Sequence, residues 1–237
     1  MRRVGLAVGL LGLLLPAPAG AASVELMVVG KSRVLREAAP MKLRARSVRV
    51  GGRRCAVGRA TPLSVLAGTR LRMRLQDYGR CGGSPRDAGA LYVTQVGPDR
   101  RGGPAGWVYK VGHRAGTTGA GDPSGPFGTG RRLRDGQRLL WFWCVQDAGR
   151  QCQRTLEVRP SAVRAAPGAP VRVMVSGYDD NGRGVRVAGA TVRLGSSLAT
   201  TDADGVAVVT APASGAARLV AEREGMVRSF PRRVVVQ

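Results

Sequence analysis

"GWVYKVG" (residues 106–112) and "QRLLWFWC" (137–144) are the two most aromatic segments of the chain, and what lies between them decides the fold. The intervening "GHRAGTTGAGDPSGPFGTGRR" (112–132) holds seven glycines and two prolines in 21 residues, so it is a loop. Both flanking segments have the length and the β-branched and aromatic content of strands. Trp141 and Trp143 are two apart and share one face of their strand, while Phe142 takes the other. Structureless loops longer than about 12–15 residues are uncommon in compact domains and are often functional. The candidate ligand-binding residues are therefore Phe127 in mid-loop and the flanking Trp107, Tyr109, Trp141 and Trp143. Two readings are open: the aromatic face is simply core, or it is an exposed platform able to hold a sugar, a planar ring or a peptide.

Outward from this pair, period-two alternation dominates. "SVELMVV" (23–29) and "KLRARSVRV" (42–50) alternate apolar with polar residues, as half-buried strands do. "TPLSVLAG" (61–68) is the one good helix signal, with Thr61 as N-cap, Pro62 in the first turn and Gly68 as the stop. "ALYVTQVG" (90–97) reads as a further strand, and "QRTLEVRP" (153–160) pairs with the aromatic strand before it. The alanine- and proline-rich "RPSAVRAAPGAPV" then sets a domain boundary near residue 159. Beyond it, short strands separated by Gly, Asp and Asn clusters predict an antiparallel sandwich.

The first 21 residues, "MRRVGLAVGLLGLLLPAPAGA", have a short basic start, an apolar run and a small-x-small ending, the pattern of an export leader. The apolar run is too short for a membrane span, which needs about 20 residues, so the expected location is extracellular. Four cysteines fit an oxidising compartment. Cys144 and Cys152 staple a hairpin across "VQDAGRQ", leaving Cys55 to pair with Cys81. No CxxC occurs and there is one histidine, so no metal or cofactor is expected.

Net charge is +23, from 38 Lys and Arg against 15 Asp and Glu, and only Lys31, Lys42 and Lys110 are lysines. Basic surfaces attract polyanions, here an anionic wall polymer or another surface protein; a GC-rich coding sequence would give the same composition. The arginines are scattered and aromatics are 4%, which argues against nucleic acid.

The residues exclude several chemistries. His113 is the only histidine, which removes the usual base for a serine or cysteine nucleophile. Asp179, Asp180, Asp202 and Asp204 sit in turn contexts rather than as paired acids. The glycine-rich loop lacks a GK[ST] ending, and Pro123 and Pro126 prevent it from opening a helix, so it is no phosphate loop. No catalytic residue is assigned.

Gly106, Trp107 and Tyr109, with the later "LRDGQ" (133–137) leading into an aromatic strand, resemble the transcobalamin-like C-terminal domain family. The resemblance covers roughly residues 24–159, with motif content in 89–144. That family commonly has asparagine-glycine after its tryptophan strand, where this chain has "GHRAGTTG". It implies a β-grasp-like α+β domain, a sheet crossed by one helix, over residues 22–159. Residues 160–237 resemble carboxypeptidase regulatory-like or immunoglobulin-like modules through Gly189, Ala190, Val192, Thr201, Asp202, Asp204 and Gly205, with "TDADG" as a hairpin turn. The expected fold is thus mainly β, a β-grasp-like domain followed by an antiparallel β-sandwich. The expected function is a secreted, non-enzymatic binding or spacer protein of the cell surface. The transcobalamin resemblance implies an alternative, a carrier of a corrinoid-like small molecule with Trp107, Tyr109 and the loop as one wall.

Overall fold

The computed structural model describes residues 21–237, so residues 1–20 of the expected leader lie outside the described residues. The chain is mainly β. Its first half carries β1 (Ser23–Val29), β2 (Val34–Lys42), β3 (Arg46–Val50), β4 (Arg53–Val57), α1 (Pro62–Ala67), β5 (Met73–Asp77), β6 (Leu91–Val96), β7 (Asp99–Arg100), β8 (Ala105–Val111), β9 (Arg114–Ala115) and β10 (Arg138–Val145). Its second half carries β11 (Thr155–Pro160), β12 (Arg164–Ala165), β13 (Pro170–Tyr178), β14 (Gly184–Arg186), β15 (Thr191–Leu194), β16 (Ser197–Thr200), β17 (Val206–Thr210), β18 (Gly215–Glu222) and β19 (Arg232–Val236).

A mixed sheet of order β2-β1-β10-β8-β9 organises the first half. Its central pair, β1 and β10, is parallel, and its other pairs are antiparallel. The helix expected from Thr61, Pro62 and Gly68 forms there. Thr61 Oγ1 accepts from Ser64 N–H at 3.2 Å while Ser64 Oγ accepts from Thr61 N–H at 3.2 Å, a reciprocal cap. Leu63, Val65 and Leu66 of α1 pack with Val24, Leu26, Val28 and Trp141 of the sheet. Trp141 Nε1–H donates to the Pro62 carbonyl at 3.3 Å, which fixes the helix over the centre of the sheet.

In the second half two sheets face each other. One places β13 between β11 on one side and β14 and β17 on the other; the second has order β12-β19-β18-β15-β16. All pairs are antiparallel except the short β12–β19 contact. Alternate residues such as Val158, Val173 and Val175 meet Val192, Leu219 and Val234 across the core.

A third apolar cluster joins the halves. Met27, Leu140 and Phe142, on the back of the mixed sheet, pack against Val227 and Phe230 of the second half. The mixed sheet is therefore covered on both faces, by α1 in front and by the sandwich behind. Both expected disulfides are present, Cys55–Cys81 and Cys144–Cys152, which fits an oxidising compartment. Among the described residues no helix is long and apolar enough to cross a membrane.

Three sequence expectations change. The strand expected over 42–50 is divided, because Lys42 ends β2 and β3 begins at Arg46. β11 does not pair with β10; it pairs with β13 across Thr155–Tyr178 to Pro160–Val173, so sheet membership changes between Val145 and Thr155. The "TDADG" turn forms, with Asp202 Oδ1 accepting from Asp204 N–H and Val206 N–H. It is not a hairpin, however, because β16 before it pairs with β15 and β17 after it pairs with β13, in the opposite sheet.

Candidate functional site

The glycine-rich loop is held tightly to its own sheet. Tyr109 Oη donates to the Thr118 carbonyl at 2.9 Å, and the Pro126 carbonyl lies 3.3 Å away. Thr118 Oγ1 donates to the Gly125 carbonyl at 2.7 Å, and Leu63 N–H of α1 donates to the Ala120 carbonyl at 2.8 Å. Two glycines are required by close approach. A Cβ on Gly119 would collide with the Gly89 carbonyl, and Gly125, at φ +87°, would drive one into the Arg131 carbonyl. The second contact doubles the loop back on itself and brings its basic end beside its middle.

The candidate aromatics divide accordingly. Trp107, Tyr109, Trp141 and Trp143 are all buried, and Phe127 is half-buried. Trp107 and Trp143 meet edge to face at 5.8 Å, the Tyr109 and Trp141 rings lie tilted to each other at 5.4 Å, and Trp107 Nε1–H donates to the Asp99 carbonyl at 2.9 Å. Phe142 faces the other way, into the cluster behind the sheet, as the alternation requires. The tryptophan face is core rather than an open platform, because α1 and the loop close over it. Burial pushes the Tyr109 phenol up, opposed by its bond to Thr118.

What remains in front is a recess of about 210 Å³ walled by Trp107, Tyr109 and Trp141, with Leu91 and Val93 of β6 and the loop residues Gly116, Thr118, Gly119 and Ala120. Trp143 instead borders an open cleft of about 860 Å³ between the two halves, where Lys31 Nζ sits 4.6 Å from its ring. The structure thus brings three of the five candidates to one recess and leaves Trp143 and Phe127 elsewhere.

Behind the sheet, the loop's first residues enter a set of polar contacts with the sandwich. His113 stacks on Tyr178 at 3.7 Å, with its ring planes 10° apart, and its Nε2 lies 3.3 Å from Glu157 Oε2. Arg159 at 3.1 Å, Arg232 at 3.3 Å and Arg138 at 3.7 Å converge on the same carboxylate. Burial works to raise the Glu157 pKa, but His113 and Arg159 together outweigh it and bring the value down to about 2. Nearby, Lys110 is fully buried. Its ammonium donates to the carbonyls of Tyr178 at 3.1 Å and Asp179 at 3.0 Å and lies 3.2 Å from Asp180 Oδ1. Burial pushes the Lys110 pKa down, and Asp180 works against that. Asp180 Oδ2 also accepts from Cys152 N–H at 2.9 Å, so this contact reaches the disulfide.

Sequence reasoning gave no role to Lys110 or Glu157, and it read Asp180 only as a turn residue. One signal was available: Lys110 opposes Leu140 in the β8–β10 pair, on the same face as Phe142, so it is a lysine on an apolar face.

The loop's far end is different again. Arg114, Arg131, Arg132 and Arg134, all exposed, border a recess of about 320 Å³ that also includes Phe127. Among the described residues none of these four arginines forms an ion pair, and the recess has no acidic side chain in its wall.

No protein-family model, curated protein or solved structure matches this chain.

Proposed function

We propose that the protein is an exported, non-enzymatic binding or spacer protein that works at the cell surface by engaging an anionic wall polymer. The observation that carries this reading is the uneven pairing of its charge. The net charge is +23; among the described residues only Arg53, Arg138, Arg159, Arg218, Arg228 and Arg232 pair with a carboxylate, and four of the unpaired arginines gather at one recess beside an ordered loop. A basic surface of this kind raises the local concentration of a polyanion and binds it in a salt-dependent way. Two disulfides and the apolar and ionic contacts between the halves give the rigidity an extracellular spacer needs. The test is sedimentation with purified cell walls. The protein pellets at low salt and is released as salt rises; absent or salt-insensitive pelleting overturns the reading.

A second reading rests on the aromatic recess and on the resemblance to the transcobalamin-like family. Trp107, Tyr109 and Trp141 would form the wall of a small-molecule site. At about 210 Å³ the recess is smaller than the 300–1,000 Å³ usual for ligand pockets. A corrinoid would therefore require the loop to lift, and the loop is fastened at Thr118, Ala120 and Pro126. This favours the first reading. Adding cobalamin separates the two: quenched tryptophan fluorescence with a higher melting temperature supports a carrier, and no response at saturating ligand removes it.

A further inference from the structure

We infer that the recess at the far end of the glycine-rich loop is an oxyanion site that grips successive charged groups of an anionic polymer built from sugars or polyols, each repeat carrying a phosphate or a carboxylate. The inference rests on the surface-binding reading above and assigns it a place and a ligand chemistry.

The first argument is positioning. Flexible surface arginines lose side-chain entropy on binding, so a site built to hold anions fixes some of them beforehand. The Arg114 guanidinium lies over the Phe127 ring at 4.9 Å. Arg132 Nε–H donates to the Pro123 carbonyl at 3.1 Å, anchoring the side chain at Nε and leaving its two terminal nitrogens able to donate. Arg134 N–H donates to Gln137 Oε1 at 2.8 Å, which secures the turn that carries it. The carbonyl contact at Gly125 sets Arg131 beside the loop's middle.

Charge is the second argument. A second recess of about 410 Å³ adjoins the first and shares Val111, Arg114, Phe127 and Gln137 with it. It adds Arg138 and Arg232, and neither recess has an acidic side chain in its wall. Arg138 is already paired with Glu25 and Glu157, and Arg232 with Glu157, so the uncompensated charge at the joined recesses is that of the four outer arginines. Guanidinium groups match phosphate and carboxylate oxygens in paired hydrogen bonds. Two joined recesses suit consecutive charges on a chain better than one small ion.

The third argument selects the polymer. Thr117, Thr129 and Gln137 supply neutral hydroxyl and amide groups suited to hydroxyl-bearing repeats. Phe127 is the one aromatic ring in either wall, and the Arg114 guanidinium already lies over it, so there is no row of rings on which successive bases could stack. The site is concave and lacks an exposed apolar rim to enter a bilayer, which argues against a lipid surface.

The experiment uses the disulfide-bonded protein, residues 22–237, and fluorescently labelled poly(glycerol phosphate) and polygalacturonate as phosphate and carboxylate probes. Dextran, single-stranded oligo(dT) and phosphatidylglycerol vesicles are the competitors. Arg114, Arg131, Arg132 and Arg134 are changed together to Gln. A control changes the exposed Arg49, Arg54, Arg59 and Arg172 to Gln, removing the same charge elsewhere. The site predicts at least a tenfold loss of affinity for one or both anionic probes in the recess variant, less than a threefold loss in the control, and no binding to dextran. The probe that responds identifies the oxyanion. Equal losses in both variants overturn the site, and tighter recess-dependent binding of oligo(dT) or vesicles overturns the choice of polymer. If the fourfold variant does not fold, Arg131→Gln with Arg134→Gln is read instead, with at least a threefold loss expected. Wall pelleting by the recess variant equal to wild type removes the site and leaves the surface reading standing. Probe binding without any wall pelleting does the reverse.

Discussion

At its start the glycine-rich loop enters a cluster in which His113, Arg138, Arg159 and Arg232 surround one carboxylate, Glu157. At its end, 18 residues beyond His113, come Arg131, Arg132 and then Arg134, which stand around a recess with no acidic residue in its wall. The same chemistry does two jobs. Where cations meet a buried anion, charge fastens one half of the molecule to the other. Where no acidic residue faces them, charge is left unpaired. In a chain with 38 Lys and Arg and 15 Asp and Glu, acidic residues are the scarce resource, so their placement shows which basic residues are structural.

Stability measurements can break this division. The largest effect is expected at Lys110, whose removal leaves Asp180 and two carbonyls facing a buried gap. Lys110→Ala is expected to lower unfolding stability by about 3–5 kcal/mol, the range for breaking a buried pair. A urea midpoint within error of wild type would contradict that. The next effect is a response to acid. The Glu157 pKa is depressed from 4.5 to about 2 in the folded chain. The stability this confers is therefore fully present above pH 4.5 and is lost as pH falls toward 2, amounting to about 3 kcal/mol at neutral pH. Glu157→Gln should remove that share of the acid slope; an unchanged slope would show that the cluster does not fasten the halves. His113→Ala, on a partly exposed side chain, is expected to cost about 1 kcal/mol or less, seen as a small drop in melting temperature. Smallest of all, each of Arg131→Gln and Arg134→Gln should change stability by no more than about 0.5 kcal/mol. A larger loss at either would place it among the structural arginines.

Much of the fold was legible because its signals are local. Thr61, Pro62 and Gly68 bracket the helix within eight residues, and period two assigns Trp141 and Trp143 to one face and Phe142 to the other. The cysteine pairing followed from there being four cysteines with one short span between two of them. β2 was not legible, because "REAAP" breaks the alternation; its Pro40 is tolerated on an edge strand. The partner of β11 and the sheet crossing at Asp202–Gly205 were hidden for another reason. A turn has the same local chemistry whether the next strand pairs beside it or opposite it, so the choice is made by distant packing.

The candidate site was legible only in outline. The pattern that put Trp107, Tyr109, Trp141 and Trp143 together is the same for a core and for a platform, and the closing of α1 and the loop over them decided for core. Phe127 was rightly placed at the loop's centre, but its neighbour Arg114 lies 13 residues away and meets it only after the loop doubles back at Gly125. The contact between Lys110 and Asp180 spans 70 residues and has no local signature beyond a lysine on an apolar face.

The most direct test of the division between fastening and binding charge is sedimentation of the two fourfold arginine variants with purified cell walls, side by side at one salt concentration. Both lose four charges and both should melt within a few degrees of wild type. The account predicts that the control pellets nearly as well as wild type, while the variant lacking Arg114, Arg131, Arg132 and Arg134 stays largely in solution. Equal pelleting of the two variants would contradict it and return the arginines to undifferentiated surface charge.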